Sequence, residues 1–253
     1  MVRMITRAIV RRISKNYSRC ISTHPLNKNL QLKLAMAQHE KYIQALQELG
    51  LEVIILRALD DFPDSCFIED TAIIHNSKAI ITNMGVLSRR GECESITDIL
   101  DQYYYLKHIQ PPGTIEGGDV VHFKDKLLSG ISQRTNSEGV NQTGSFLNVT
   151  IDTITDPAIV HLKSYISHLD DQTVLTTKNY SGNKALTPFT KIIVPQSEEY
   201  ASNVLSINGT IIMAQGFPKT KKLLQENDFD VVTLATSEIQ KCDGALTCLS
   251  LLF

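Results

Sequence analysis

One pattern recurs along this chain with a period in the forties, and it narrows the folds open to it. Asp70 leads into AIIHNSKAIIT, an apolar run, a polar turn and a second apolar run. Asp119 leads into VVHFKDKLLSG, His161 into the looser LKSYISHLDDQTVLTT, and Asn203 into VLSINGTIIMA. These leading residues lie 49, 42 and 42 positions apart, and Cys248 follows 45 later. Each unit reads as a hairpin, and Asn208-Gly209 is a strong turn signal. A period of this length marks repeated supersecondary units. All-strand propeller blades share it, but helical segments separate these hairpins, and the chain has no Trp and no Gly-His or Trp-Asp signature. The expectation is five α/β units about a pseudo-symmetry axis, forming a single domain over residues 1–253.

The elements between the hairpins fit that plan. Residues 30–50 carry a broad apolar helical face (Leu32, Leu34, Ala35, Ala37, Tyr42, Ile43, Leu46, Leu49) and end at Gly50, a natural C-cap. A strand is predicted over 51–56, shorter helices over 94–104, 197–205 and 219–225, and a strand over 230–234. The first 39 residues hold eight Lys or Arg and no acid, as an organelle transit peptide would. The alternation of ITRAIVR favours a first strand over 5–11 instead, with 14–28 as a polar loop.

Composition removes several function classes. With 42% hydrophobic and 21% charged residues, the chain has an ordinary globular balance. A net charge of −2 suggests no polyanionic partner, so nucleic acid is not expected. No apolar run reaches membrane-spanning length. Cys20, Cys66, Cys93, Cys242 and Cys248 are odd in number with no CxxC spacing, which speaks against a zinc ribbon or a disulfide framework. Buried thiols in a reducing, cytoplasmic compartment are expected.

The repeat also predicts where chemistry gathers, because equivalent positions of units related by rotation converge on the axis. Near those positions stand Glu69 with Asp70, Glu116 with Asp119, His161 and Cys248. Singly each is weak. His161 could be structural, Cys248 could be core, and Glu116-Gly-Gly-Asp119 could be a turn whose glycines allow unusual backbone angles. Together they pair a thiol nucleophile with an imidazole and set two acidic clusters around one cavity. Carboxylates so placed repel unless a cation lies between them, and a planar guanidinium has the donor geometry for that place. Arg89 and Arg134 follow strands in successive units. They are either solvated surface charges or a clamp for a substrate carboxylate.

With these segments the chain resembles the dimethylarginine dimethylaminohydrolases, within the guanidino-group-modifying superfamily of arginine deiminases and amidinotransferases. The matching segments are Pro63-Asp64 with FIED at 67–70, SRR at 88–90, IEGGD at 115–119, SQRTN at 132–136, HLKS at 161–164 and DGALTC at 243–248. They run in family order, and the likeness extends from about Arg7 onward. EGGD alone also occurs in the deiminases.

The resemblance implies a five-bladed α/β propeller, the pentein fold. It implies Cys248 as nucleophile, His161 as acid and then base, and Glu116 holding the guanidinium and orienting the histidine. Asp70 matches the second guanidinium-binding carboxylate. Asp64 and Glu69 match positions by the α-amino end and the site wall, Arg89 and Arg134 those at the α-carboxylate, and Cys242 and Asp243 substrate-facing positions before the nucleophile. The loop 14–28 matches the lid, with Ser22, or Ile21 beside it, where relatives place a leucine. No metal or organic cofactor is implied, and the partner is a small arginine-derived molecule; a homodimer is left open. The implied reaction is hydrolysis of a methylated arginine to citrulline and a methylamine. Deimination of arginine is the enzymatic alternative, and a catalytically silent binding protein on the same fold is the alternative of another class.

Overall fold

A computed structural model describes residues 4–253. The repeat becomes five three-stranded sheets, each an antiparallel pair of strands, one of which also pairs in parallel with a third; in four of them the antiparallel pair is a hairpin. The first sheet contains β1 (Arg7–Arg11) and β2 (Glu52–Leu56), joined by the long helix α1 (Leu32–Glu48). The second contains β3 (Ala72–His75), β4 (Lys78–Ile81) and, after α2 (Glu94–Leu100), β5 (Tyr105–His108). The third contains β6 (Val120–His122), β7 (Leu127–Ile131) and, after α3 (Ser137–Leu147), β8 (Ile151–Thr155). The fourth contains β9 (Ile166–His168), β10 (Thr173–Thr176) and β11 (Thr190–Ile193). The fifth contains β12 (Leu205–Ile207), β13 (Thr210–Ala214) and, after α4 (Pro218–Glu226), β14 (Asp230–Leu234). A short helix α5 (Ser237–Gln240) then leads toward β15 (Leu251–Leu252), which returns to pair antiparallel with β1.

Local chemistry accounts for much of this. Ile207 pairs with Thr210 across Asn208-Gly209, and both turn residues have positive φ, as the tightest hairpin turn requires. α1 buries Ala35, Tyr42, Ile43, Ala45 and Leu46 against the core, and Gly50 beyond it takes φ +84°. Its length is that of the parallel crossover from β1 to β2.

Immediately before the inner strand of four sheets lies a short 3-10 turn: Ile68–Thr71, Gly117–Asp119, Leu162–Ser164 and Thr247–Leu249. A longer one, Gln196–Ser202, lies just ahead of β12. The turn before β3 touches those before β6 and β15; the turn before β9 touches the turn before β6 and the segment before β12. These turns form an inner ring, and the leading residue of every repeat lies in it or next to it.

Three expectations need correction. The helix expected over 94–104 stops at Leu100, and 197–205 is a kinked 3-10 segment rather than an α-helix. Cys20 and Cys242 form a disulfide with Cα atoms 5.8 Å apart. An odd cysteine count and the lack of CxxC say nothing against one pair 222 residues apart; only the return of the chain brings them together. Cys66, Cys93 and Cys248 are free thiols. No described helix is long and apolar enough to cross a membrane.

Candidate active site

The ring of turns brings His161, Glu116 and Asp70 together. His161 Nε2 lies 2.7 Å from Glu116 Oε2 and 3.6 Å from Asp70 Oδ1. Burial alone would lower the imidazole pKa, but Asp70 and Glu116 outweigh it and push it up to about 9. The imidazolium is therefore the resting form at neutral pH. Glu116 is fully buried; its Oε1 accepts the Gly85 N–H, and its own N–H donates to Thr135 Oγ1. Asp70 accepts from Gly118 N–H at 3.0 Å and from Arg89 Nη1 at 2.8 Å. Burial would raise its pKa, yet His161 and Arg89 hold it below the usual carboxylate value.

The glycines between Glu116 and Asp119 serve a purpose other than unusual backbone angles, since neither has a positive φ. A Cβ on Gly118 would stand 2.6 Å from His161 Nδ1 and 2.9 Å from Asp70 Oδ1, and one on Gly117 would run into the Glu69 carbonyl. They are glycines because the turns approach too closely for any side chain. Asp119 fixes the far side: its carboxylate accepts from Ser132 Oγ, Thr135 Oγ1 and the Leu162 N–H, beside His161.

Cys248 is half-buried in the turn before β15. Burial, then Glu69 and Asp70, push its thiol pKa well up, while the backbone N–H of Ala245 at the sulfur acts the other way. These surroundings favour the thiol over the thiolate. Glu69 accepts from Lys163 Nζ at 2.6 Å and Thr247 Oγ1 at 2.8 Å. Glu69, Lys163 and Thr247 also line a cavity of about 800 Å³, whose lining does not include Cys248, His161 or Glu116.

The arginines differ from each other. Arg89 is buried, with a two-pronged contact to Glu92 (Nε–Oε1 3.0 Å, Nη2–Oε2 2.8 Å) and the bond to Asp70. Glu92, three residues on and fully buried, is a site residue the sequence reading missed; its spacing from Arg89 was the available signal. Arg134 Nη1 is buried with no hydrogen bond, its nearest carboxylate being Glu116 at 3.8 Å.

The remaining expected residues lie toward the segment 14–28. Asp64 is buried and accepts the Ile21 N–H. Asp243, at φ +54°, accepts from Thr23 N–H and Thr23 Oγ1, and Ser22 Oγ donates to Lys241 O. Cys242, expected to face substrate, is instead 2% exposed and bonded to Cys20; its sulfur fastens the two loops.

Asp70, Glu116 and His161 each offer a donor atom within 4.8 Å of the others. The negative charge of Asp70 and Glu116 is already shared by the His161 imidazolium and two guanidinium groups, Arg89 and Arg134.

A family profile described as eukaryotic N,N dimethylarginine dimethylhydrolase matches residues 16–168. A dimethylarginine dimethylaminohydrolase from Pseudomonas aeruginosa is 34% identical over 224 residues, covering 87% of this chain and 88% of that protein. The chain belongs to the dimethylarginine dimethylaminohydrolase family. Family membership makes it a hydrolase of carbon–nitrogen bonds in linear amidines. A crystal structure of the Pseudomonas aeruginosa enzyme, a cysteine-to-serine mutant with citrulline, superposes with TM-score 0.96 at 31% identity, covering 99% of this chain and all of that one. A dimethylarginine dimethylaminohydrolase with histidine replaced by glycine, an adduct with S-methyl-L-thiocitrulline, superposes with TM-score 0.95 at 31% identity and the same coverage. The five sheets and these superpositions establish the pentein propeller.

Proposed function

We propose that this chain hydrolyses an Nω-methylated arginine to citrulline and a methylamine through a covalent intermediate on Cys248. The observation that carries this reading is the buried His161–Glu116–Asp70 cluster, with its imidazole pKa pushed up to about 9. It is suited to a cationic, planar substrate and holds a proton ready for a departing amine.

Asp70 and Glu116 hold the guanidinium, whose positive charge offsets the carboxylates that keep the Cys248 thiol protonated. The thiol releases its proton to water, and the thiolate sulfur bonds to the guanidinium carbon. The carbon–nitrogen bond to the methylated nitrogen breaks as His161 gives that nitrogen its proton. The sulfur-bound amidine that remains is attacked by water, which loses a proton to His161. The carbon–sulfur bond then breaks as the new hydroxyl becomes the ureido carbonyl and its proton passes to the departing sulfur, leaving citrulline and the free cysteine thiol.

Arg134, with an unpartnered buried donor, binds the α-carboxylate. Arg89 positions Asp70 and contributes field. Asp64, Glu69 and Asp243 shape the amino end and the wall. The segment 14–28 acts as a lid, bonded to Asp64, Lys241 and Asp243. A cytoplasmic setting keeps Cys248 reduced, and burial of both sulfurs shields the Cys20–Cys242 bond from thiol exchange there.

The test is citrulline release from monomethylarginine, asymmetric dimethylarginine and arginine in parallel. The methylated substrates should give the higher kcat/KM, and Cys248→Ser should abolish turnover. Preference for arginine would make the chain a deiminase. Absence of turnover with every guanidine would leave a binding protein.

A further inference from the structure

The inner ring has four turns whose chemistry is assigned and one position, ahead of β12, that the proposed reaction does not use. There Asn203 leads the fourth hairpin, as Asp70, Asp119 and His161 lead the first three. It is 4% exposed, and every polar atom of its side chain is engaged. Its Oδ1 accepts the Thr247 N–H at 3.1 Å, while its Nδ2 donates to Thr247 Oγ1 at 3.0 Å and to the Lys163 carbonyl at 3.1 Å. The amide can face only this way, because a main-chain N–H cannot accept and a carbonyl cannot donate. Thr247 Oγ1 in turn donates to Glu69 Oε2, whose other oxygen takes Lys163 Nζ.

Thr247 is the residue before the nucleophile. Its main-chain N–H and its hydroxyl are both fixed by one side chain from a different blade. The three-residue turn Thr247–Leu249 is too short to hold its own geometry. Asn203 supplies the rigidity from outside and closes the ring between the fifth and first blades.

We propose that Asn203 is a positioning residue for the reaction, clamping Thr247 so that the Cys248 sulfur stays aligned with the guanidinium carbon. This rests on the reading of Cys248 as nucleophile. Asn203 touches neither substrate nor reacting atoms in this role. It acts through Thr247, and its loss costs alignment rather than binding.

The test compares Asn203→Asp, Asn203→Ala and Thr247→Val in the full-length enzyme. Asn203→Asp keeps the volume and the acceptor but loses both donated bonds. Steady-state kinetics with a methylarginine, and alkylation of Cys248 by iodoacetamide against pH mapped by mass spectrometry, are the two readouts. The expected result is a kcat lower by about ten- to a hundredfold, the order that a small misplacement of reacting groups costs, with KM little changed. The Cys248 alkylation profile should move to higher pH as the contact from the Ala245 N–H loosens. Asn203→Ala combined with Thr247→Val should cost clearly less than the sum of the two single changes, since both remove the Asn203 Nδ2–Thr247 Oγ1 bond.

A merely structural residue would lower the melting temperature of Asn203→Asp and leave both the kcat of the folded enzyme and the alkylation profile unmoved; that result overturns the proposal. Additive losses in the double variant would overturn it too. If Cys248→Ser keeps turning over, the nucleophile assignment itself has failed. If Cys248→Ser is dead while Asn203→Asp is fully active, only the role of Asn203 has.

Discussion

Arg89 and Arg134 look interchangeable in the sequence but meet different surroundings. Arg89 neutralises Asp70 and Glu92, so Arg89→Ala would leave two buried carboxylates without their cation. A destabilisation of about 3–5 kcal/mol is expected, with a lower kcat because Asp70 loses its anchor. Arg134 has a donor to spare, so Arg134→Ala should raise KM by about ten- to a hundredfold, the worth of one charge-assisted hydrogen bond, and leave the fold intact. Thermal melts and steady-state kinetics on the two variants check both; a KM effect confined to Arg89→Ala would reverse the assignment. His161 titration is a second measure. Its raised pKa means that its ion-pair stabilisation is complete below the ordinary 6.5 and is lost as pH rises through about 9. Glu116→Gln should lower the midpoint seen by NMR of the imidazole, and an unchanged midpoint would remove Glu116 as its partner. Cys248, His161, Glu116 and Asp70 were legible because they lead or flank the repeats. Glu92 and the linkage of Asn203 to Thr247 were not, since each depends on which side chains meet after folding.

Helix α3 shows where element reading failed. Its sequence, SEGVNQTGSFL, holds two glycines and few strong helix formers, so propensity argues against it. It forms because Asn136 caps it by accepting the Gly139 N–H, and because Val140, Thr143 and Leu147 bury one face. Gly139 is required there, as a Cβ would strike the Thr114 carbonyl. β14, by contrast, has the limits read for it, Asp230–Leu234, because the short β-branched run DVVTL needs no distant partner to be visible. The Cys20–Cys242 bond belongs to the same scale, tying 14–28 to the loop before the nucleophile alongside the Ser22 and Thr23 bonds. Cys20→Ser should cost about 2–4 kcal/mol and raise amide hydrogen exchange selectively over 14–28. Exchange that rises evenly across the molecule would show that the bond is not a local tether.

At the scale of the whole molecule, closure depends on a short pairing. Thr6 and Arg7 donate their N–H groups to the Phe253 carbonyl, Phe253 donates back to Arg7, and Ile9 faces Leu251. The Phe253 ring packs on Tyr103 and Tyr104 of the neighbouring blade. Phe253→Ala should therefore lose about 3–5 kcal/mol, the usual cost of emptying an aromatic site, and should lower activity with it. Equilibrium unfolding followed by a methylarginine assay checks this, and a fully stable, active variant would show that the ring closes without it. The repeat made the five-part plan legible, whereas this closure was hidden because β15 is only two residues long.

That closure sets an order of events during synthesis. A ribosome releases Asp70, Glu116 and His161 well before it releases Cys248, and β15 emerges just behind the nucleophile. Until then the first sheet has two strands in place of three, and the carboxylates at the centre have no thiol beside them. The sulfur proposed to react and the strand that seals the ring are thus delivered almost together. A nascent chain cut short before them carries Asp70, Glu116 and His161 but neither the thiol nor the third strand of the first sheet, so under the proposed mechanism a truncated copy cannot become an uncontrolled enzyme.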